Sequence, residues 1–485
     1  MKKFTYVVYG TIPVVLNSVL HIGGDDEEKY SLAVNGKGEY IIPATGTAGV
    51  VRHYLEQVKP DLLYLLGDKK DTDESRVYYY DAVCHDIHIE QRTSTRLDHE
   101  SGTAYDKSLH TISYIGSGMK AELRIQVFAD DESERNNAEV IVQSVASGIE
   151  SGDITFGGHT ATGAGVFELE KGKEGIPLAR VLTLDLREKS DLGRYLEGID
   201  SCFEETAQNG EVINSEKKMS ANHDVFELTG YFPEGILVKS GIESDVADQE
   251  NISRSDFRNL KTKRYFIPGT SVKGIMRSYA ELIWSSFENN DTSGIDWIFG
   301  NSTDEATGNI AKSKSHVSFS DTDIFCIDYD EHQEGHQKVH NRIKVDRWLG
   351  GVITGGKMNE EIIGVPEDAP VTIRVSVDKN YKIKNEGENN SENKVKYDEK
   401  IQQAAKAIVF LALRDIGTGR VTIGSGNSIG LGHCTGTELK VNGETFKFEN
   451  GSIAADGKNE HPIEWLKTLE EWVSSIKKEG GNDEA

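Results

Sequence analysis

The stretch from Phe266 to Glu281 reads Phe-Ile-Pro-Gly-Thr-Ser-Val-Lys-Gly-Ile-Met-Arg-Ser-Tyr-Ala-Glu. It predicts the end of a strand, a tight turn and the start of a helix. Pro268 fixes φ and ends the strand ladder, and Gly269 permits the turn. Thr270 or Ser271 is expected to cap the helix, which leaves free backbone N–H groups pointing outward.

Two cations follow inside this predicted helix. Lys273 and Arg277 are four residues apart and therefore share one helix face. With the open amides and the positive end of the helix dipole, they form a plausible cradle for a phosphate group. An ordinary capped helix with a basic exposed face is the simpler alternative for this stretch taken alone.

The same stretch occurs a second time, near the start of the chain. Ile42 to Glu56 reads Ile-Pro-Ala-Thr-Gly-Thr-Ala-Gly-Val-Val-Arg-His-Tyr-Leu-Glu and matches the later stretch at an offset of 225 residues. Arg52 is the counterpart of Arg277, whereas Ala48 stands where Lys273 stands. A repeat of this length indicates two copies of one domain.

Composition limits the class of protein. A chain of 485 residues is expected to form two to four domains. The net charge of −26 argues against a free-standing nucleic-acid binder, unless binding is local or takes place inside an assembly. No apolar run is long enough to span a bilayer, so no membrane role is expected. The 4 cysteines are scattered without a Cys-x-x-Cys pair, which favours a reducing, cytoplasmic setting over a zinc site.

The predicted elements follow the same order in both copies. Each copy reads as β-α-β followed by β-α-β, an α+β arrangement of the ferredoxin-like (RRM-like) type with a polar excursion and a late glycine-rich turn. The predicted boundaries are residues 1–186 for the first domain, 187–222 for a linker, 223–445 for the second domain and 446–485 for a tail with an amphipathic helix.

These motifs resemble those of the RAMP superfamily, the repeat-associated proteins of CRISPR effector complexes. The resemblance is carried by the Ile-Pro-Gly-Thr-Ser-x-Lys-Gly-x-x-Arg stretch, the Phe-Gly-Asn at Phe299 to Asn301, and the late glycine turn. In particular, the chain resembles the backbone subunit of type III complexes, fused in two copies as in type III-D systems. The resemblance implies two tandem ferredoxin-like RAMP domains whose polar excursions are thumb-like insertions.

The resemblance also implies a function. Such a subunit grips guide CRISPR RNA within a complex of other type III effector subunits, and it cleaves the paired target RNA with a metal-dependent aspartate. Counting back from the second Ile-Pro turn, that aspartate is Asp248, with Asp245 as the alternative. Asp248 would hold Mg²⁺ or Mn²⁺ with help from RNA. In the first copy the same count gives Glu28, a departure from the family's pattern, with Asp25 and Asp26 nearby.

Histidine, cations and glycine amides are the remaining candidate RNA ligands. His21 lies where the family often has a histidine beside glycines, and histidine can act as an acid, a base or a phosphate ligand. Cations beside a stacking ring, Trp348, suit single-stranded RNA. The residues predicted to contact RNA are His21, Arg52, Arg92, Arg96, Gly157, Gly158, Lys239, Lys273, Arg277, Arg342, Lys344, Arg347, Gly424, Gly426 and Gly430.

Two other functions remain open. One is a non-catalytic RNA-binding scaffold subunit of the same complex. The other is a metal-independent endonuclease that processes guide RNA by using histidine, for which His21 is the only well-placed candidate. The duplication and the Asp248 loop favour the catalytic backbone subunit over this second alternative.

Overall fold

The computed structural model describes most of the chain. The described residues are 4–23, 32–67, 74–95, 106, 108–213, 220, 222–240, 248–256, 259–287, 293–300, 314–328, 337–379, 391–449, 452–454 and 461–479. The chain forms two compact units. The first unit comprises Met1–Gln91, Ile112–Thr160 and Ala164–Asn222, and the second comprises Arg92–Thr111, Ala161–Gly163 and His223–Ala485.

The elements of the first half of the chain end at residue 212. Its strands are β1 (Tyr6–Leu16), β2 (Ile41–Ile42), β3 (Val77–Tyr79), β4 (Ala82–Val83), β5 (Ile89–Ser94), β6 (His110–Ile115), β7 (Lys120–Ala129), β8 (Phe167–Leu169), β9 (Arg180–Asp185) and β10 (Glu211–Val212). Its helices are α1 (Ala44–Val58), α2 (Glu132–Ser151), α3 (Lys189–Leu196) and α4 (Ile199–Asn209), with short 3₁₀ helices at Pro60–Leu66 and Thr160–Thr162.

The second half repeats this order with longer strands. Its strands are β11 (His223–Ile236), β12 (Ser253–Asp256), β13 (Asn259–Ile267), β14 (Val317–Phe319), β15 (Thr322–Asp328), β16 (Gln337–Val345), β17 (Val352–Val365), β18 (Val371–Asp378), β19 (Thr435–Val441), β20 (Glu444–Glu449) and β21 (Ser452–Ala454). Its helices are α5 (Gly269–Ser286), α6 (Ser293–Phe299), α7 (Ser391–Gly417) and α8 (His461–Glu479), with a 3₁₀ helix at Asn427–Ile429.

In the first unit, β1 is the central strand of an antiparallel sheet ordered β10-β9-β1-β7-β3. Val8 and Ile12 point to one face and pack in a core with α2, while Tyr9 points to the other face, as the period of a strand requires. Tyr9 meets Phe203 of α4 edge to face, with ring centroids 5.2 Å apart. Both faces of the sheet are therefore covered.

The segment predicted to be a linker, residues 187–222, instead helps to cover the second face of this sheet. Residues 187–222 include α3 and α4, and Cys202 and Phe203 of α4 are buried against β1 and β9. The two helices are short, and only a few of their positions are apolar, so their sequence shows little periodicity. This segment belongs to the first unit.

In the second unit, β11 is the central strand of a sheet ordered β14-β18-β11-β19-β20-β21. The predicted tail helix is α8, and its Trp472 is fully buried, with its ring centroid 5.1 Å from that of Trp284. The sheet also continues into β20 and β21, past the predicted domain end at residue 445. The C-terminal segment therefore completes the second unit.

The two units confirm the predicted fold class of two tandem ferredoxin-like domains. The polar excursions contain the paired strands β5–β6 and β16–β17, the predicted hairpin insertions. Within the described residues, no helix combines the length and apolar character needed to cross a bilayer.

Candidate nucleic-acid interface

The second Ile-Pro stretch starts a helix whose first amide is already held. Pro268 takes the N-cap position in an extended conformation without a side-chain cap, and α5 begins at Gly269. The N–H of Gly269 donates to Oδ1 of Asp321 at 3.0 Å. Thr270 and Ser271 therefore lie inside the first helical turn, and the expectation that one of them caps the helix was wrong. Asp321, which follows strand β14, supplies the acceptor instead.

The first Ile-Pro stretch is built the same way. Pro43 is the N-cap residue of α1, again without a side-chain cap. The N–H of Ala44 donates to Oδ1 of Asp81 at 2.7 Å. Asp81 and Asp321 each follow the strand after the helical segment, β3 and β14 respectively. An aspartate at the positive end of the helix dipole is thus a shared structural feature of both repeats.

The repeated arginines bind backbone carbonyls. Nη2 of Arg52 donates to the carbonyl oxygens of Leu66 and Gly67, both at 2.7 Å. Nη1 of Arg277 donates to the carbonyl oxygen of Gly300 at 3.0 Å, and its guanidinium also pairs with carboxylates of α5 and α6. Both guanidinium groups therefore join the Ile-Pro helix to the helical segment that follows it.

Lys273 differs from these arginines because the described residues give its ammonium group no hydrogen bond or ion pair. Its side chain is half-buried, and burial together with the nearby Arg277 guanidinium lowers its pKa to about 8. In the first unit, Ala48 occupies this position. An uncompensated, partly desolvated cation is a favourable site for an incoming anion.

The two glycine turns fold against the strand end that precedes each Ile-Pro stretch. The N–H of Gly158 donates to the carbonyl oxygen of His21, and that of Ser425 donates to the carbonyl oxygen of Leu237, both at 2.7 Å. Gly157 and Gly424 have φ values of 80° and 89°, and a side chain at either position would collide with these same carbonyls. The backbone contact thus explains the first glycine of each turn.

Further amides of the second turn also donate within the chain. The N–H groups of Ser428, Gly430 and Gly432 reach acceptors at 2.9 to 3.2 Å. Gly426 and Gly430 both have left-handed φ values, 80° and 94°. Much of the amide row predicted to contact RNA is therefore used to hold the turn in shape.

Two histidines and a tyrosine meet in the first unit. The His21 ring lies 5.4 Å from that of His159 and 5.7 Å from that of Tyr114, between ring centroids. Nδ1 of His21 is 3.0 Å from the carbonyl oxygen of Ser113, which fixes the ring's orientation. Of the three residues, the sequence singled out only His21. His159 directly follows Gly157 and Gly158 in the first glycine turn, and its left-handed φ of 59° turns it toward His21.

Asp248 is exposed and anchored to the second hairpin. Its Oδ2 accepts the backbone N–H of Asn359 in β17 at 2.7 Å. The next residue, Gln249, exchanges backbone hydrogen bonds with β17: its N–H donates to Asn359 at 3.2 Å, and its carbonyl accepts from Glu361 at 2.9 Å. The predicted catalytic carboxylate is therefore positioned by a strand and not by a free loop.

A buried network holds the segment that follows Asp248. Asn251 donates its side-chain N–H to the carbonyl oxygens of Ile236 and Glu361 and accepts the N–H of Val238 at 2.7 Å. The Glu361 carboxylate accepts the N–H of Asn251 at 3.0 Å and the hydroxyl of Tyr265 at 2.6 Å. Because every partner is buried, this network fixes the strand end, the Asp248 segment and β17 to one another.

The second hairpin carries cations and an exposed ring. Arg342 of β16 pairs with Glu360, a carboxylate that is only 1% exposed. Lys344 and Arg347 are exposed, and Trp348 at the tip is 95% exposed. The ring of Trp348 is thus accessible for stacking and is not part of the hydrophobic core.

The remaining predicted residues fall into two groups. Lys239 is exposed and forms a backbone bridge with Asn251. Five predicted residues lie outside the described residues: Asp245, Glu28, Asp26, Asp25 and Arg96.

Arg92 takes part in an ion network of the second unit. Its Nη2 lies 2.9 Å from Oδ2 of Asp321, and Arg254 approaches the same oxygen at 3.4 Å. The guanidinium carbons of Arg92 and Arg254 each lie 4.8 Å from the centroid of the Phe266 ring. Asp321 is thus enclosed by two cations and the Gly269 amide, and its side chain is only 5% exposed.

A metal ion at Asp248 would have few protein ligands. Among the described residues, no three His, Cys, Asp or Glu side chains lie close enough together to hold a cation. One oxygen of Asp248 accepts the Asn359 amide, and the other receives no hydrogen bond from the described residues. This arrangement fits Mg²⁺, which commonly uses one or two carboxylates and completes its shell with water and phosphate oxygens.

Comparisons with known proteins address the family. No curated protein matches the chain. One solved structure is described as "Cryo-EM structure of the Type III-B Cmr-beta bound to cognate target RNA"; it is 15% identical over 37% of this chain and 61% of that chain, with a TM-score of 0.28. This chain thus spans less than two thirds of that relative, and at this TM-score the likeness supports no statement about function. The family model of the RAMP superfamily matches residues 15–168 and 235–435, well over half of the chain. The protein belongs to the RAMP superfamily.

Proposed function

We propose that the protein is a double backbone subunit of a CRISPR type III effector complex that binds guide RNA and cleaves paired target RNA. The environment of Lys273 is the observation that supports the RNA-binding part of this proposal. Lys273 is a half-buried cation in the first turns of the helix that the Ile-Pro stretch defines, and the described residues supply no partner to its ammonium group. The net charge of −26 leaves local sites of this kind as the means by which the chain would attract RNA.

A phosphate group would supply the negative charge that the half-buried ammonium group of Lys273 lacks among the described residues. Burial penalises the charged ammonium, and Arg277 adds repulsion, so the lysine is destabilised in its charged form. An RNA phosphate beside it would reverse this penalty through a charge-assisted hydrogen bond. Such a contact would hold RNA without regard to base sequence.

The second hairpin offers a complementary contact. Trp348 at its tip presents a ring that is 95% exposed, and Lys344 and Arg347, which both precede it in sequence, present exposed cations. Stacking on an aromatic ring combined with cations suits unpaired or splayed nucleotides. We therefore propose that the hairpin contacts RNA bases while Lys273 holds phosphate.

The proposed cleavage site is Asp248. When bound there, Mg²⁺ or Mn²⁺ would activate the attacking group and stabilise the leaving oxygen. The chain's own contribution is to orient one carboxylate oxygen through the Asn359 amide and to leave the other oxygen available. We place this chemistry in a reducing cytoplasm, which agrees with the free thiols of Cys84, Cys202 and Cys434.

RNA retention tests the binding proposal. The protein is purified with its RNA, and bound RNA is quantified for wild type, Lys273→Glu and Lys467→Glu, an exposed lysine of α8 that serves as the control. We expect Lys273→Glu to lower RNA occupancy at least tenfold and the control to retain RNA. Equal RNA occupancy in all three proteins would refute the role of Lys273.

A second function is favoured by the meeting of His21 with His159. One imidazole could remove the proton of an RNA 2′-hydroxyl, whose oxygen would attack the adjacent phosphorus. The bond to the 5′-oxygen would break, and the second imidazole would protonate that leaving oxygen. The products would be a 2′,3′-cyclic phosphate and a 5′-hydroxyl, formed without metal. EDTA-resistant cleavage that disappears in both His21→Ala and His159→Ala would support this function, and absence of cyclic phosphate ends would exclude it.

A further inference from the structure

A cavity of about 540 Å³ lies in the second unit between α7, α8 and the turn that joins β19 to β20. This volume falls within the range of about 300–1,000 Å³ that is usual for small-molecule sites in proteins. No residue that lines the cavity is among those proposed above to contact RNA or a metal ion. The cavity is therefore a feature that the proposed function does not use.

Local structure directs polar side chains from three elements into this cavity. Gln403 and Lys406 are three residues apart on α7, and Glu464 and Thr468 are four residues apart on α8, so each pair shares a helix face. Asn442 lies in the tight turn between β19 and β20 and has the left-handed φ of 50° that such a turn requires. The two helix faces and the turn meet at the cavity.

Three hydrogen-bond donors that line the cavity are already used within the chain. Nζ of Lys406 forms an ion pair with Oδ2 of Asp224 at 2.6 Å, and the Asp224 side chain is only 7% exposed. Nδ2 of Asn442 donates to the other oxygen of Asp224 at 2.7 Å, and Lys379 approaches that oxygen at 3.8 Å. The hydroxyl of Thr468 donates to a backbone carbonyl of its own helix at 3.0 Å. A buried carboxylate therefore compensates the cation in the cavity wall.

The acceptors of the cavity are less well satisfied. Oε1 of Gln403 is buried, and no described residue donates a hydrogen bond to it. A buried acceptor of this kind is destabilising until a donor reaches it. The terminal torsion of a glutamine is soft, so this oxygen can turn into the cavity that its side chain lines. Two carboxylates, those of Glu444 and Glu464, line the same cavity, and both residues are exposed. The cavity thus offers acceptors and negative charge to a ligand.

Trp465 adds an aromatic ring to the cavity wall. The ring packs against those of Phe226 and Phe410, with centroids 6.0 and 6.3 Å apart, and these contacts hold it in place. Nζ of Lys406 lies 5.9 Å from the centroid of the indole ring. A cation beside this ring is therefore already part of the structure, as the negative face of an indole favours.

We infer that the cavity binds a guanidinium group, either the side chain of an arginine in a partner peptide or a free alkylguanidinium compound. A guanidinium is planar, carries five N–H donors and stacks on aromatic rings. It would stack on Trp465 and donate in its plane to Oε1 of Gln403 and to the Glu464 carboxylate. A phosphate would instead be repelled by the two carboxylates, and Lys406 is already paired. The inference does not depend on the proposed function.

Isothermal titration calorimetry of the full-length protein tests this inference with three ligands. They are ethylguanidinium, the peptide acetyl-Ala-Arg-Ala-amide and the matched peptide in which citrulline replaces arginine, with nearly the same shape and no charge. The variants are Gln403→Met, Glu464→Gln and the control Glu470→Gln, which changes another exposed carboxylate of α8. Methionine is close to glutamine in length and helix propensity but has only a weakly accepting sulfur.

We expect the arginine peptide to bind wild type at least tenfold more tightly than the citrulline peptide does. Gln403→Met and Glu464→Gln should each weaken this binding at least fivefold, and Glu470→Gln should bind as wild type does. RNA retained by the protein would also attract a cationic peptide, so the comparison of variants is decisive.

The same titrations identify the source of the guanidinium group. Tighter binding of the arginine peptide than of ethylguanidinium indicates a protein partner, whereas equal or weaker binding of the peptide indicates a free small molecule. Absence of binding by both guanidinium ligands, equal affinities for the arginine and citrulline peptides, or wild-type affinity in both cavity variants would overturn the inference.

Discussion

The carboxylate of Asp248 accepts the backbone N–H of Asn359 at 2.7 Å, so one oxygen of the candidate catalytic carboxylate ties the group to strand β17. The same strand forms one side of the hairpin that carries Trp348 between β16 and β17. A single strand therefore connects the carboxylate proposed to cleave RNA with the hairpin proposed to contact RNA bases. Movement of the hairpin on the rest of the unit would displace Asp248 with it.

RNA binding should depend on pH through Lys273. Because the pKa of its ammonium group is lowered to about 8, the group is charged below that value and loses its charge as pH rises through it. We expect the RNA dissociation constant, measured by fluorescence anisotropy at fixed salt, to increase between pH 7 and pH 9. Lys273→Arg should bind RNA with a much weaker pH dependence, since arginine stays charged in this range.

A comparison of wild type with Lys273→Arg can contradict this prediction of pH dependence. If wild type and Lys273→Arg show the same pH profile, then the ammonium group of Lys273 is not the titrating contact. The salt dependence provides a second check, because removal of one phosphate contact should reduce the slope of log affinity against log salt by about 0.7 for single-stranded RNA.

Arg52 and Arg277 should contribute to stability in their own units. Each donates charged hydrogen bonds to backbone carbonyls, so Arg52→Ala and Arg277→Ala should each lower the free energy of unfolding by about 1.5–3 kcal/mol. Urea unfolding followed by circular dichroism measures this loss. Arg347→Ala is the matched control, because Arg347 is exposed. A loss of RNA binding without a loss of stability would show instead that the repeated arginines serve RNA.

Trp348 should contribute to RNA binding without contributing to stability. Its side chain is 95% exposed, so Trp348→Ala leaves no cavity, but it would remove a stacking contact of about 1–3 kcal/mol per base. Trp472→Ala is the contrasting variant: Trp472 is fully buried, and its loss should cost about 3–5 kcal/mol of stability. Unchanged RNA affinity in Trp348→Ala would remove the hairpin tip from the proposed interface.

The sequence predicted the duplication and the fold class because both depend on periodicity and on order along the chain. It did not predict what the repeated residues contact. The sequence predicts that Arg52 and Arg277 contact RNA. In the structure they bind the carbonyl oxygens of Gly67 and Gly300, which lie 15 and 23 residues further along the chain. A repeat preserves contacts that support the fold as readily as contacts with a ligand, and spacing alone does not separate the two.

The burial and the contacts of single residues also could not be predicted from the sequence. Lys273 and Arg277 looked alike as cations on one helix face, but packing desolvates Lys273 and gives Arg277 carboxylate partners. His159 gained a possible role only because a left-handed turn brings it to His21. Such differences arise from tertiary contacts, which a spacing pattern does not encode.

Cleavage of target RNA by the assembled complex tests the central claim most directly. The measurement maps every cut in a labelled target RNA for wild type and Asp248→Asn, with Mg²⁺, with Mn²⁺ and with EDTA. Asparagine can still accept the Asn359 amide, so the segment should keep its position while the metal-binding charge is lost. We expect Asp248→Asn to lose one cut while binding guide and target RNA as wild type does, and we expect EDTA to abolish that cut in wild type. Normal cleavage by Asp248→Asn at every position would contradict the account and leave the chain as a non-catalytic scaffold.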